Sequence, residues 1–506
     1  MTASRAALLY TGVLCLLYAL LPSLTFPNPP LDVVEGFAWG RDIQLGYTKH
    51  PPMQAWLLEL SYHLTGGHAY GAYWLSALSI GVGFWFIWLI ARELGFSERQ
   101  GFWAIVLTSV TFYFTLPVPE FNPNILQIPI WAGMVYLFLR ALNSGAARYW
   151  ILLGALAAVG FYTKYFVFLL IGTIGLYALV YADGRRYLAT TGPWICTLSF
   201  LFVVGPHLYW LYETDFLTFR YAIGRSNAAG SWVDHVYNPA NFFVAQLANH
   251  AGLFLVALLG FSWQTLKSAK ISWSTSNDAD LTAHADRFLL WFSLVPLAVV
   301  LLASAVTGSE FKHMWGTPLF VLSGLMAVRY LHIPALWSAP KRAFAGTLVI
   351  QAIFLGVLFG QAVLEPLWKT KQSRIHYPGK ATAEFLSDVW EKETGTELAY
   401  VAGDEWTTAN VTLHAPSRPS MFLEHNTTLS PWIDLDDVQK KGVMILWRGE
   451  NSGPAGRILE LYPNASGQGQ HTMPFHSYGT FPDLILNWII VPPGSVATSV
   501  DEERTD

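Results

Sequence analysis

Between Pro27 and Trp56 an otherwise oily chain gathers Asp32, Glu35, Arg41, Asp42, Tyr47, Lys49, His50, Pro51 and Pro52. Only 13% of the 506 residues are charged, so this concentration of ionisable groups beside an apolar segment marks a place where chemistry can occur. Asp32 and Glu35 are three apart and share one face if Leu31 to Asp42 is helical. Two carboxylates that close repel, which raises one pKa toward the range of a general base or invites a cation or metal between them. The competing reading is an exposed helix start, with Asp32 placed where the helix dipole favours an acid.

Lys49-His50-Pro51-Pro52 follows and precedes the amphipathic stretch Met53 to Leu64. Two prolines stiffen the entry to that helix and hold the two basic donors, which suits the grip of a phosphate. Snorkelling of Lys49 toward lipid headgroups is the plainer alternative. Lys164 and Tyr165 sit at a turn between two apolar runs, and Lys312-His313 with Trp315 opens another. Singly, each reads as an interface anchor, whereas three basic sites on one membrane face beside two acids read as a site that removes a proton and holds an anionic leaving group. In Pro119-Glu120-Phe121-Asn122-Pro123-Asn124 the Asn122 side chain fits a helix cap ahead of Pro123, while Glu120 and Asn124 stay open between capping and contact with a sugar.

What must position these groups is a membrane scaffold. The chain is 53% hydrophobic and 15% aromatic with a mean hydropathy of +0.36, beyond what a soluble domain carries. Runs of about 20 residues, enough to cross a bilayer as helix, occur at Ala7 to Phe26, Tyr70 to Ala91, Phe102 to Val118, Ile125 to Leu142, Trp194 to Tyr212, Phe242 to Phe261, Phe288 to Val306, Trp315 to Leu331 and Ala343 to Val363. The long run from Tyr149 to Tyr181 divides into two spans at Thr163-Lys164-Tyr165, which makes eleven. Arg5, Arg92 with Arg99, Arg140 with Arg148, Arg185 with Arg186, Lys267 with Lys270, and Arg329 with Lys341 and Arg342 fall at alternate ends. By the positive-inside rule that side is cytoplasmic. The N-terminus is then inside, and the acids, Lys49, Lys164, Lys312 and everything after Val363 are outside.

The first span lacks a small-residue cleavage site before Pro27 and reads as a retained anchor. Cys15 and Cys196 lie within spans, so neither a disulfide nor a cysteine metal site is expected. After Leu364 the sequence becomes mixed and polar. Glu397 to Ala402, Ser420 to Glu424, Gly442 to Trp447 and Leu484 to Val491 read as strands, and Ala381 to Glu391, Asp434 to Lys440 and Gly456 to Leu461 as helices. The expected organisation is a mainly α, polytopic membrane domain over residues 1–363, a small extracytoplasmic α/β domain over 364–497 and a disordered tail over 498–506. No internal repeat, Walker loop, dinucleotide fingerprint or CxxC is present, and a net charge of −4 gives no reason to expect nucleic acid as a partner.

Taken in order, Asp32-Val-Val-Glu35, then Gly46-Tyr47-Thr48-Lys49-His50-Pro51-Pro52 with Ala55-Trp56, then Thr163-Lys164-Tyr165, then Lys312-His313-Met314-Trp315 resemble the membrane glycosyltransferases of the protein O-mannosyltransferase and aminoarabinose-transferase superfamily, the GT-C fold. Phe121-Asn122-Pro123-Asn124 and the extended His-Pro-Pro signature look closest to the bacterial branch that decorates lipopolysaccharide, galacturonosyltransferases included. The resemblance covers about residues 1 to 370.

It implies transfer, with inversion, of a sugar from a polyprenyl-phosphate donor to a hydroxyl of an envelope glycolipid such as lipid A or lipopolysaccharide core, on the periplasmic face of the bacterial inner membrane. Asp32 would be the general base and Glu35 would assist or orient the acceptor. Lys49, His50, Lys164, Tyr165, Lys312 and His313 would hold the donor phosphate, and Tyr47, Glu120, Asn122, Asn124 and Trp315 would contact substrate. The positive charge also suits an acidic sugar such as a uronic acid. Val33 and Val34 separate acids that many relatives place side by side, which leaves the choice of base open. Asn124 stands where many relatives carry an acid, which bears on any metal. No cofactor is assigned, and a divalent metal is left open. The competing classes are a lipid-linked sugar flippase, disfavoured by charges clustered at one face without paired repeats, and transfer to a protein Ser or Thr.

Overall fold

The computed structural model describes residues 2–225, 230–260, 270–271, 279–332, 340–449, 459 and 462–495. The expected tail from Thr498 to Asp506 lies outside these residues, as does almost all of the expected helix Gly456 to Leu461. Six helices are long and apolar enough to cross a membrane: Ala3–Thr25, Gly71–Glu93, Pro123–Ser144, Gly192–Glu213, Ala283–Thr307 and Pro340–Leu367. The pair Val167–Val180 and Ala182–Leu188, bent by 97°, makes a seventh if taken as one span, and the shorter Ala147–Thr163 is apolar as well.

The remaining apolar runs are helical but interrupted. Phe102 to Val118 becomes the helix Glu98–Ser109 and a 3-10 turn at Phe112–Phe114 ahead of Pro117 and Pro119. Phe242 to Phe261 divides at His250 into Asp234–Asn249 and Ala251–Gly260. Trp315 to Leu331 becomes a 3-10 helix at His313–Phe320, with Pro318 inside it, followed by Ser323–Tyr330. Breaks of this kind persist at membrane depth only where neighbouring protein satisfies the backbone. Thr108 does this by donating to the Ala104 carbonyl and accepting from the Gly324 amide at 3.1 Å. Gly324 is needed at that crossing, since a Cβ there would lie 1.9 Å from the Ala104 carbonyl oxygen.

The chain divides into two compact units. The first comprises Met1–Pro22, Lys49–Gln54 and Tyr73–Leu358, which is the helical membrane part with the short Lys-His-Pro-Pro segment. The second comprises Ser23–Thr48, Ala55–Ala72 and Phe359–Asp506. It therefore takes in the two helices of the first loop, Leu31–Arg41 and Met53–Leu64, the latter from Ala55 onward.

The second unit is built on a five-stranded sheet of β1 (Tyr400–Gly403), β2 (Ser420–Leu423), β3 (Val443–Arg448), β4 (Ser466–Met473) and β5 (Leu484–Val491), in the order β2-β1-β3-β5-β4. β1 runs parallel to β2 and β3, with Val401 opposite Met421 and Met444. β5 is antiparallel to β3 and β4, with Trp488 opposite Leu446 and Gly469. The central strands read as near-continuous apolar runs because both faces are covered. Gly379–Thr394 and Leu435–Lys441 form the helices expected there, each somewhat shifted in its bounds.

Two elements differ from expectation. β4 is SGQGQHTM, an edge strand whose exposed and half-buried positions alternate up to buried Met473, at low hydrophobicity, so the apolar pattern is silent on it. Glu405–His414 is a helix despite three threonines and a valine; Asp404 caps it, and nearly every residue is buried, partly against the Leu31–Arg41 helix.

Candidate functional site

In the second unit, Pro30 leads into the helix Leu31–Arg41 with Asp32 in its first turn. Asp32 is half-buried and Glu35, one turn on, is buried at 5% exposure. Both are therefore on a helix and within one turn, as the spacing requires. The rest of that helix is buried from Val33 to Gly40, so the acids are carried on an element fixed by packing.

Its far end is fixed by a second group that the sequence alone did not reveal. Arg418 forms a two-pronged ion pair with Glu59 (Nη1 to Oε1 2.8 Å, Nη2 to Oε2 2.9 Å), donates from Nη2 to the Phe37 carbonyl at 3.2 Å and lies 4.0 Å over the Tyr62 ring. Arg41 returns the contact by donating from Nε to the Arg418 carbonyl at 2.7 Å. Arg418 itself has φ +48°, a left-handed backbone held by these partners. Asp42 accepts from Arg41 at 3.1 Å and from Ser420 at 2.9 Å, and burial pushes its carboxyl above the usual range against the pull of both.

Tyr47 is fully buried, stacks on Trp39, accepts from the Gln44 amide and donates to the Asp42 carbonyl at 3.1 Å. In this structure it holds the loop after the acid-bearing helix.

The basic residues belong to the first unit. Lys164 leaves the end of Ala147–Thr163 and donates to Asn124 Oδ1 at 2.6 Å; its ammonium lies 5.0 Å from the centroid of the Trp315 ring. Asn122 caps Pro123–Ser144 by accepting from the Asn124 and Ile125 amides, which places Asn124 in the first turn with its side chain toward Lys164. Gln127, one turn further on, donates to the Lys164 carbonyl at 3.0 Å and accepts from Trp131 at 2.8 Å. So Asn122, Asn124, Lys164 and Trp315 are brought together, and Gln127 joins them without any signal in the sequence beyond a polar residue in an apolar run.

Tyr165 turns the other way. Its hydroxyl shares a 3.0 Å hydrogen bond with His207 Nε2 and its ring stacks on Phe219 at 4.2 Å. Lys312 pairs with Glu310 at 3.0 Å, and the His313 side chain is exposed while its carbonyl accepts from Tyr113 and Gln246. Lys49 and His50 are half-buried, and Gln54 ties their segment to the Phe121 carbonyl at 3.0 Å, beside half-buried Glu120. Among the described residues no three His, Cys, Asp or Glu side chains converge in a way that could hold a metal ion.

Residues 49–210 match the model of the Dolichyl-phosphate-mannose-protein mannosyltransferase family. Over 382 residues, 73% of this chain and 74% of the relative, the sequence is 21% identical to Lipid A galacturonosyltransferase RgtD of Rhizobium johnstonii. Among solved structures, ArnT from Cupriavidus metallidurans superimposes with a TM-score of 0.57 when bound to undecaprenyl phosphate and 0.60 in the apo state. Each covers 96% of this chain and 98% of the other at 12% identity. The chain thus shares the fold of ArnT, the GT-C fold, and is a multi-pass membrane protein.

Proposed function

We propose that this GT-C-fold protein, a polyprenyl-phosphate-sugar-dependent glycosyltransferase, moves a single sugar, a uronic acid being the favoured class, to a hydroxyl of an envelope glycolipid such as lipid A or lipopolysaccharide core. The reaction takes place at the periplasmic face of the bacterial inner membrane, with the N-terminus cytoplasmic. The acceptor hydroxyl gives its proton to Asp32, its oxygen attacks the anomeric carbon, and the bond from that carbon to the phosphate oxygen breaks with inversion. Polyprenyl phosphate leaves. Glu35, buried one turn from Asp32, orients the acceptor.

The observation that supports this most is the Lys164 ammonium, oriented by Asn124 and the Trp315 face. A cation held in advance where negative charge develops on a leaving phosphate lowers the barrier without reorganisation at the moment of reaction. Lys49, His50, Lys312 and His313 supply further donors to the same phosphate, and Tyr165 supports the turn that presents Lys164. Trp315 and Glu120 face the sugar.

The test is mass spectrometry of envelope glycolipids from cells holding the wild-type chain, the Asp32→Asn chain or neither. One sugar increment, present only with the wild type, supports transfer and Asp32 as base, and its mass names the sugar class. An increment of equal abundance with Asp32→Asn assigns the base elsewhere. No increment in any arm overturns glycolipid transfer.

A further inference from the structure

The helix Leu31–Arg41 carries acids at its start, and its last residue, Arg41, lines a polar cavity of about 400 Å³ within the second unit. Nine residues separate Asp32 from Arg41, a rise of roughly 14 Å along an α-helix. The cavity opens at the starts of β1 and β2 and beside the end of the helix Leu435–Lys441, so its rim is made by Tyr400, Ser420, Lys440 and Lys441, with Glu397 as the acid of the lining.

The arginine is held from behind. Its Nε donates to the Arg418 carbonyl and its Nη1 to Asp42, while Nη2 has no hydrogen-bond partner among the described residues. A guanidinium fixed by two bonds with an edge left over is preorganised for an oxyanion. Lys441 is bonded to Asp437 at 2.7 Å, and Tyr400 also donates to Asp437, so that carboxylate is occupied on the protein side. Lys440 has no ion-pair partner among the described residues. Three basic side chains beside one acid, with the hydroxyl-bearing residues Thr396, Ser417, Ser420 and Tyr400, in a cleft of this size match a saccharide bearing an anionic group better than they match a bare ion.

We infer that the cavity formed by Arg41, Lys440, Lys441, Ser420 and Tyr400 is a binding subsite for a phosphorylated saccharide. Its place on the acid-bearing helix makes it a subsite for the acceptor; this part rests on the glycosyltransferase reading. A hydroxyl at Asp32 and a phosphate near Arg41, roughly 14 Å apart by the helical rise, fix a multi-sugar acceptor at two points.

The subsite is tested first without catalysis, by titrating the purified full chain in nanodiscs with a glucosamine disaccharide bearing a phosphate, with the same disaccharide lacking it, and with inorganic phosphate. The expected result is at least about tenfold tighter binding of the phosphorylated disaccharide, the worth of one charge-assisted contact. Lys440→Gln and Arg41→Gln, tested separately because Arg41 also bonds the backbone of Arg418, each remove most of that difference. Equal binding of the two disaccharides, or unchanged binding in both variants, overturns the subsite. Inorganic phosphate binding as tightly as the phosphorylated disaccharide overturns its saccharide character. In the transfer assay, Lys440→Gln raises KM for a phosphorylated acceptor about tenfold more than KM for a dephosphorylated one. A wild-type chain that binds the probe but transfers nothing overturns the glycosyltransferase reading and leaves the subsite standing.

Discussion

Arg418 and Glu59, 359 residues apart in sequence, meet through both guanidinium nitrogens and both carboxylate oxygens, with side chains only 11% and 9% exposed. The pair also spans from the strand-rich part of the second unit to the first-loop helices, because the same guanidinium reaches the Phe37 carbonyl. Removing one member leaves the other charge buried. Arg418→Ala is expected to destabilise the second unit by about 3–5 kcal/mol, and Glu59→Ala by a similar amount. The double variant loses less than the sum of the two. Denaturant unfolding followed by the fluorescence of the buried tryptophans measures all three; additive losses would remove the pair as the cause.

Asn124 and Lys164 give a second prediction. Asn124→Asp places a full negative charge where a neutral oxygen lies 2.6 Å from the ammonium, so the cation is neutralised before any donor phosphate arrives. Donor affinity falls, with KM for the polyprenyl-phosphate sugar rising about tenfold or more, whereas Lys164→Ala lowers kcat by roughly 10²–10³, the range seen when a stabiliser of developing charge is lost. Steady-state kinetics with varied donor separates the two effects.

Asn122 is a helix cap by geometry, with its side-chain oxygen bonded to the amides of Asn124 and Ile125. Asn122→Ala is expected to cost about 1 kcal/mol and Asn122→Asp or Asn122→Ser very little. Thermal unfolding of the detergent-solubilised chain distinguishes this from a substrate role, which would depress activity in Asn122→Ser while leaving stability alone.

The second unit carries two histidines held neutral. His414 is pushed down to about 4 by burial and then by Lys380, and His376 to about 4 by burial and then by His476. Each binds its proton less readily folded than unfolded, so the stability it allows is whole above pH 6.5, the unfolded value, and drains away as pH falls toward 4. A difference of this size is worth about 3 kcal/mol per histidine at most. The denaturation midpoint of the second unit is therefore expected to fall across that window, and His414→Gln, which can still bond Asn28, to flatten part of the fall. A midpoint constant from pH 7 to pH 4 would contradict it.

How much of this the sequence carried depends on how local the signal was. Spacing alone put Asp32 and Glu35 on one helical turn, and apolar runs placed the central strands, since periodicity is a property of neighbouring residues. β4 escaped because Gly, Gln, His and Thr fill an edge strand whose only requirement is a backbone partner. Glu405–His414 escaped because its helix rests on burial, not on the propensity of its threonines. The site divides the same way. Asn122 was legible as a cap from Asn-Pro; Arg418, Glu59, Gln127 and His207 were not, because each acquires its meaning from a partner far along the chain. Tyr47, conspicuous in a polar motif, is spent on the loop that follows the acid-bearing helix.

The second unit is assembled from three stretches of chain, 23–48, 55–72 and everything from Phe359 onward. A ribosome adding about 5–20 residues per second delivers Arg418 some 20–70 s after Glu59. Throughout that interval the first-loop helices are already outside the ribosome with an acidic side chain and an apolar face awaiting a partner not yet made. Synthesis order therefore exposes a vulnerable intermediate to proteases and chaperones, and completion of the unit that carries Asp32 waits for β5, Leu484–Val491, so a nascent chain halted after the final span is inserted but holds its first-loop acids on unfinished ground.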